Sequence, residues 1–324
     1  MTTPRAAGRG PRATLALWIA ATLLLALAAR GAGWHRVAEI GARLDAAWVF
    51  VAVCGNLAIQ PFAAIQWRLL LPVGQRIRLR EMLSITAVSS LAMTTAPALI
   101  GHASSVHLLA RQPGIGHGTA LSVLALDQLT EGLAKVIVVL LAILVLPVPA
   151  WMRQGAVGLA CIVGLLLVGL IVAARSHDLL ARWASTARPR SPRALFARWA
   201  NRLETLRTPP RFVAALLACL GMKLVEGLAI VAAQQALGVD LPPSSAILVL
   251  AAAGFGTMVP LAPGNLGTYE AAVVVAYKWL GLSTGDAVAL AVVQHLAYLT
   301  ASAGAGYAVL SAGQVRTWVR RAFR

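Results

Sequence analysis

Asp127, Glu131 and Lys135 fall at i, i+4 and i+8 within one long apolar run, so a helix there carries all three on one face. Ionisable side chains are costly in hydrocarbon and by default mark substrate or proton pathways. At about 1.5 Å per residue from Thr119, the three lie about 12, 18 and 24 Å into that helix. The two acids then straddle the middle of a bilayer. Two acids beside one lysine leave negative charge to bind a cationic group of a headgroup, or to exchange a proton. Lys223 and Glu226 form a second polar pair, roughly 18 and 22 Å beyond Arg211 in a later apolar run. The competing reading is mutual neutralisation, Glu131 with Lys135 and Lys223 with Glu226, as polar glue between helices. Lys135, Lys223 and Glu226 are therefore supporting candidates beside Asp127 and Glu131.

Glu270 closes the run Pro263-Gly264-Asn265-Leu266-Gly267-Thr268-Tyr269. Thr268 or Asn265 is expected to cap the helix that starts there. Free amides at a helix N-terminus attract anions, lipid phosphates included. Gly264, Asn265, Gly267 and Thr268 thus make a candidate headgroup site. Glu270 near that end suits the helix dipole. Its other expected roles are gating, or pairing with Lys278 or a lysine of another span. His102, His107 and His117 have no acid close by in sequence and no HExxH order, so His102 is read as polar lining of a cavity rather than as a metal ligand. No metal and no cofactor are expected. Nor is there a glycine-rich phosphate loop, an ordered Ser/His/Asp set or a basic-aromatic face for nucleic acid.

The elements that must hold these residues are set by composition. The chain has 324 residues, 59% hydrophobic and 12% charged, with mean hydropathy +0.77. Soluble domains carry roughly a quarter charged residues. That contrast excludes a soluble enzyme, a disordered regulator and a secreted disulfide scaffold. Cys54, Cys161 and Cys219 all lie in apolar segments, which argues against disulfides and metal clusters. The net charge of +17 comes from arginines clustered between apolar runs, the pattern of cytoplasmic loops in a polytopic membrane protein.

A helix needs about 20 apolar residues to cross ~30 Å of hydrocarbon. Six stretches meet that length: 13–29, 46–70, 119–146, 155–174, 212–237 and 287–312. The first, fenced by Arg12 and Arg30, resembles a signal peptide but is read as an uncleaved anchor because more spans follow. Two further segments break in the middle. Residues 83–100 break at Thr94-Thr95-Ala96-Pro97, before Gly101, and residues 244–280 break from Pro260 to Gly267. Each reads as a helix, an irregular tip and a shorter helix, a form that survives at membrane depth only inside protein or beside a wet cavity. A Pro-kinked structural hairpin is the plainer alternative.

Charge parity supports hairpins. Nine arginines lie in 175–211, four in the C-terminal tail and three at Arg76, Arg78 and Arg80. All these and the N-terminus share the cytoplasmic side only if both broken segments return to the side they left. The spacing Pro97 to Gly101 recurs at Pro260 to Gly264, and Gly118-Thr119-Ala120 recurs as Gly285-Asp286-Ala287. In that register Asp127 matches Gln294, Gln128 matches His295 and Glu131 matches Tyr298. The units start from opposite sides, which makes an inverted repeat with a site at its interface and brings Gln294 into the candidate set. The expected organisation is a basic cytoplasmic tail at 1–12, one membrane domain at 13–312 and a basic cytoplasmic tail at 313–324. Within the domain lie a first repeat at about 80–146, an arginine-rich loop at 175–211 and a second repeat at about 240–312. A helix in that loop with Leu195, Trp199, Leu203 and Leu206 on one face would rest on anionic inner-leaflet lipid; a plain positive-inside loop is the alternative.

Residues 40–312 resemble the flippase-like, lysylphosphatidylglycerol synthase transmembrane-region family. The resemblance rests on Pro263-Gly264-Asn265-Leu266-Gly267-Thr268-Tyr269-Glu270-Ala271-Ala272, on Pro97 to Gly101 continuing through Leu108-Leu109-Ala110-Arg111 to Asp127-Gln128-Leu129-Thr130-Glu131, and on Gln66-Trp67-Arg68-Leu69-Leu70. The departures are Tyr269, Gln128 and Ser105 where the family commonly has arginine. The resemblance implies a bacterial inner-membrane protein with paired re-entrant hairpins. Its best-known members move aminoacylated phosphatidylglycerol between leaflets, and others accompany hopanoid or lipid-linked glycan pathways. The chain is too short to include the aminoacyl-transferring domain of fused members.

The expectation is an all-α polytopic membrane bundle of about six full spans plus two hairpins in an inverted repeat. Its expected work is to move a polar-headgroup or lipid-linked molecule between leaflets, without enzymatic chemistry and with a membrane lipid as substrate. The alternative is an accessory subunit that holds a lipid, hopanoid or glycan biosynthetic enzyme through 175–211. A membrane-embedded transferase ranks third, because the acids lack a nucleophile or metal.

Overall fold

A computed structural model describes residues 44–96, 98–176, 208–258 and 262–312. The span at 13–29, both tails and nearly all of the arginine-rich loop lie outside the described residues. Helices account for all the regular structure described, and no strand occurs among those residues. They are α1 (Ala46–Leu57), α2 (Ile59–Leu70), α3 (Leu79–Thr95), α4 (Ala98–Ala110), α5 (His117–Val145), α6 (Ala150–Arg175), α7 (Pro209–Ala236), α8 (Ser245–Gly256), α9 (Thr268–Trp279) and α10 (Thr284–Ser311). Five stretches are long and apolar enough to cross a membrane: α1 with α2, then α5, α6, α7 and α10. The first is interrupted at Ala58, three residues before Pro61, whose ring nitrogen has no hydrogen for the ladder.

The chemistry of the surface is that of a protein in lipid. Leu144 and Leu165 are 83% and 75% exposed, far from what water tolerates on a contiguous face. Buried positions between helices are instead rich in alanine: Ala52, Ala64, Ala134, Ala142, Ala215 and Ala233 have no exposed surface. Small side chains let membrane helices approach closely enough for dispersion to hold them, since lipid supplies no hydrophobic drive between them.

The two broken segments are hairpins. The arms α3, α4, α8 and α9 have 17, 13, 12 and 12 residues. At about 1.5 Å per residue they reach roughly 18 to 26 Å, short of a ~30 Å core. Each pair of arms packs together, α3 on α4 and α8 on α9. Ala96 is extended at φ −126° and ψ 160°, as the residue before Pro97 must tend to be, and this ends α3. On α4, a Cβ at Gly101 would stand 2.5 Å from Met93 Sδ and 3.0 Å from Met93 Cα, so only glycine admits this approach of the arms.

Packing also follows the repeat. The first arm α3 lies on α10, the last span of the second unit, and α8 lies on α5, the corresponding span of the first. The spans that precede the hairpins, α1–α2 and α7, pack on each other. Each hairpin therefore leans on the other unit, and the elements facing the middle are α5, α7, α10 and the two hairpins.

Candidate functional site

On α5, the i, i+4 spacing places Glu131 and Lys135 in one ion pair, with Lys135 Nζ 3.2 Å from Glu131 Oε1. Across the helix interface, Lys223 Nζ stands 3.9 Å from the same oxygen and 3.0 Å from Glu226 Oε2. Four charges from α5 and α7 thus form one continuous network in which Lys223 serves two acids. Glu131 is its most open member, its side chain 38% exposed against 16% and 17% for the two lysines. His102, on α4 of the first hairpin, lies within electrostatic reach of Glu131, and Tyr298 on α10 within reach of Glu226, Glu131 and Lys223.

Asp127 sits one turn away and joins no lysine. Its Oδ1 accepts the Trp67 indole N–H at 3.0 Å, and Oδ2 accepts from Gln128 at 3.4 Å. The neighbouring Gln66 amide donates to Thr130 Oγ1 at 2.7 Å. The run Gln66-Trp67 therefore docks α2 on the Asp127–Thr130 turn of α5 with two side-chain bonds. The expected sharing of Lys135 by both acids is not what the helices build, because Trp67 lies nearer to Asp127 than any cation of α5.

Beside the network lies a narrow, partly open cleft whose cavity volume, about 20 Å³, holds little more than one water. Lys135, Lys223, Glu226 and Thr257 supply its polar wall, and Val138, Leu159, Leu250 and Phe255 are among its apolar lining. Charge at one side and hydrocarbon at the other suits an amphiphile. Among the described residues no group of three His, Cys, Asp or Glu side chains is placed to hold a metal ion.

The tip of the second hairpin is built differently. Gly264 and Asn265 both have positive φ, at 61° and 58°, within a 3₁₀ turn at Pro263–Asn265, and Gly267 follows at 87°. A Cβ on Gly264 would come 3.0 Å from Leu299 Cδ2 and 3.2 Å from the Thr94 carbonyl, so this tip rests against the tip of the first hairpin. Neither Thr268 nor Asn265 caps α9. The N-cap is Gly267, the Thr268 hydroxyl donates backwards to the Asn265 carbonyl at 3.1 Å, and the capping anion is Glu270, whose Oε2 accepts the Gly267 N–H at 2.7 Å. The place expected for a headgroup anion on that amide is thus held by the chain's own carboxylate. The other Glu270 oxygen faces His295 Nδ1 at 2.7 Å, and His295 Nε2 faces the Gly264 carbonyl at 2.8 Å. Both partners are acceptors, so a hydrogen is needed on each ring nitrogen unless Glu270 itself carries the proton. Tyr269 stacks on the same imidazole at 4.4 Å, where its ring face favours a cation. Glu270 pairs with His295 rather than with Lys278 or another lysine.

A third set of contacts fixes the base of this hairpin. The Gln234 amide of α7 donates to Ser245 Oγ of α8 at 3.1 Å and to the Tyr277 hydroxyl of α9 at 3.2 Å. Gln294 of α10 donates to the same hydroxyl. All four residues are buried.

Among the sequence candidates, the structure brings Glu131, Lys135, Lys223 and Glu226 together, with His102 and Asp127 alongside. Glu270, Gly264, Asn265, Gly267 and Thr268 form the separate tip, and Gln294 belongs to the base. His295 and Trp67 were not read as site residues. His295 carried a signal, an ionisable group in mid-span, whereas nothing local marks Trp67 as the donor to Asp127.

A family model described as Lysylphosphatidylglycerol synthase TM region matches residues 13–306 of this chain. No curated protein and no solved structure matches it.

Proposed function

The chain belongs to the lysylphosphatidylglycerol synthase transmembrane-region family, and from that premise we propose that it is a flippase that carries a polar-headgroup lipid between leaflets of a bacterial inner membrane. The observation that supports this most is the ionic network itself: four charges on two spans beside a half-apolar cleft, flanked by both hairpins. Charges that served only as glue would be expected to face inward and be closed off. Glu131 instead keeps 38% of its side chain exposed, with Lys135 and Lys223 at 3.2 and 3.9 Å.

In this reading the headgroup displaces water around Glu131, its cationic group pairs with that carboxylate or with Asp127, and its acyl chains follow the apolar wall. Lys135 and Lys223 pair with Glu131 and hold it in place. Glu270 shapes the opposite half without meeting the lipid, since its two oxygens already hold the Gly267 N–H and His295. No cofactor or bond-making step is required. The arginine distribution supports cytoplasmic termini and a loop at 175–211 on anionic lipid.

The test is lipid movement across proteoliposomes of the purified chain, with labelled phosphatidylglycerol, its aminoacyl form and a polyprenyl-linked sugar. Headgroup-selective movement that Glu131→Gln lowers at least tenfold, in protein that still elutes as a folded species, is the expected result. Undiminished movement in that variant removes Glu131 from the pathway. Folded wild-type protein that moves none of the three sinks the flippase reading and leaves the accessory role to be sought with partner co-purification.

A further inference from the structure

The two hairpins are equivalent in the repeat but unequal in how they are fastened. On the second, both arms are bonded at their base through Ser245 and Tyr277 to Gln234 and Gln294, and the tip is held by His295 on Gly264 and Glu270. On the first, α3 receives one side-chain bond from outside among the described residues, Gln60 to Ser90 at 3.0 Å. Among the described residues no side chain of α4 hydrogen-bonds to another helix. Its Ser104 and Ser105 hydroxyls turn back to the carbonyls of Ile100 and Gly101. Buried polar bonds in hydrocarbon resist separation because no water replaces them, whereas an interface of van der Waals contacts alone has no such bond to break. The packing of α4 on α3 is of the second kind, Gly101 against the flexible Met93 side chain. Yet α4 also packs on α5, the span that carries Glu131.

We infer that α4 is the moving arm that widens the already open approach to Glu131 for an entering headgroup, and that the second hairpin is a fixed post against which it closes. This rests on the transport reading for its purpose but not for its mechanics. When α4 swings out, the Gly101–Met93 contact opens and the α5 face on which α4 packs becomes accessible. The tip contact between Thr94 and Gly264 stays, because α3 is held by α10.

Hydrogen exchange tests it: on the native chain in nanodiscs, amides of residues 98–110 should exchange at least tenfold faster than those of residues 268–279. Equal protection of the two arms overturns it. If the native chain moves no lipid, the flippase reading fails by itself, and the exchange contrast alone still decides whether α4 is the loose arm.

Discussion

The ionic network on α5 and α7 and the tip of the second hairpin each hold a carboxylate at membrane depth, and they solve the cost in opposite ways. At the tip the ionisable groups are tied locally: Glu270 spans His295 and the Gly267 amide, and His295 spans Glu270 and Gly264. In the network, Glu131 has two cations at 3.2 and 3.9 Å yet keeps more than a third of its side chain open. A satisfied cluster is a joint; a neutralised but open one can exchange partners. The same residue types therefore serve fastening in one place and binding in the other, and what separates them is whether the last coordination position is filled.

That distinction is breakable. Glu131→Gln should have the largest effect, at least a tenfold loss of lipid movement with a thermal midpoint close to wild type, read by proteoliposome assay beside unfolding in detergent. The converse applies at the tip: His295→Ala leaves Glu270 and the Gly264 carbonyl without their partner, and loss of one member of a buried pair costs about 3 kcal/mol or more. The expected result is a large fall in midpoint, and a midpoint equal to that of Glu131→Gln would erase the contrast. Within the network, Lys223→Ala should slow movement several-fold more than Lys135→Ala, because Lys223 serves both Glu131 and Glu226; the reverse order in initial rates would place the pivot on α5. Smallest is Trp67→Phe, which keeps an aromatic ring but trims the indole to a phenyl and removes the N–H to Asp127, a loss of about 1 to 3 kcal/mol in stability by thermal unfolding. A null result there would mean that Asp127 finds water instead.

Much of the architecture was legible because membranes simplify the rules. Length and apolarity alone mark the spans at 46–70, 119–146, 155–174, 212–237 and 287–312, each within a few residues of the helix observed. The breaks near Pro97 and from Pro260 onward were equally visible, since proline acts on its own neighbours. The site was half legible. Spacing pairs Glu131 with Lys135 and Lys223 with Glu226, but the bond from Glu131 to Lys223 joins residues 92 positions apart, and no helical period predicts it. The capping of α9 was misjudged because Glu270, three residues inside the helix, reaches back to a glycine amide that Thr268 and Asn265 leave free.

From its own residue order, the chain determines that it lives in a membrane, where its helices lie and which side chains are too expensive to be idle. These follow from local quantities: hydropathy over a span, dihedral limits at proline and glycine, the cost of a charge in hydrocarbon. Tertiary structure alone decides that Trp67 holds Asp127, that His295 clamps the second tip, and that the two hairpins are fastened unequally. Each of those depends on the rotation and depth of helices relative to one another, and side chains brought together by packing leave no period in the sequence.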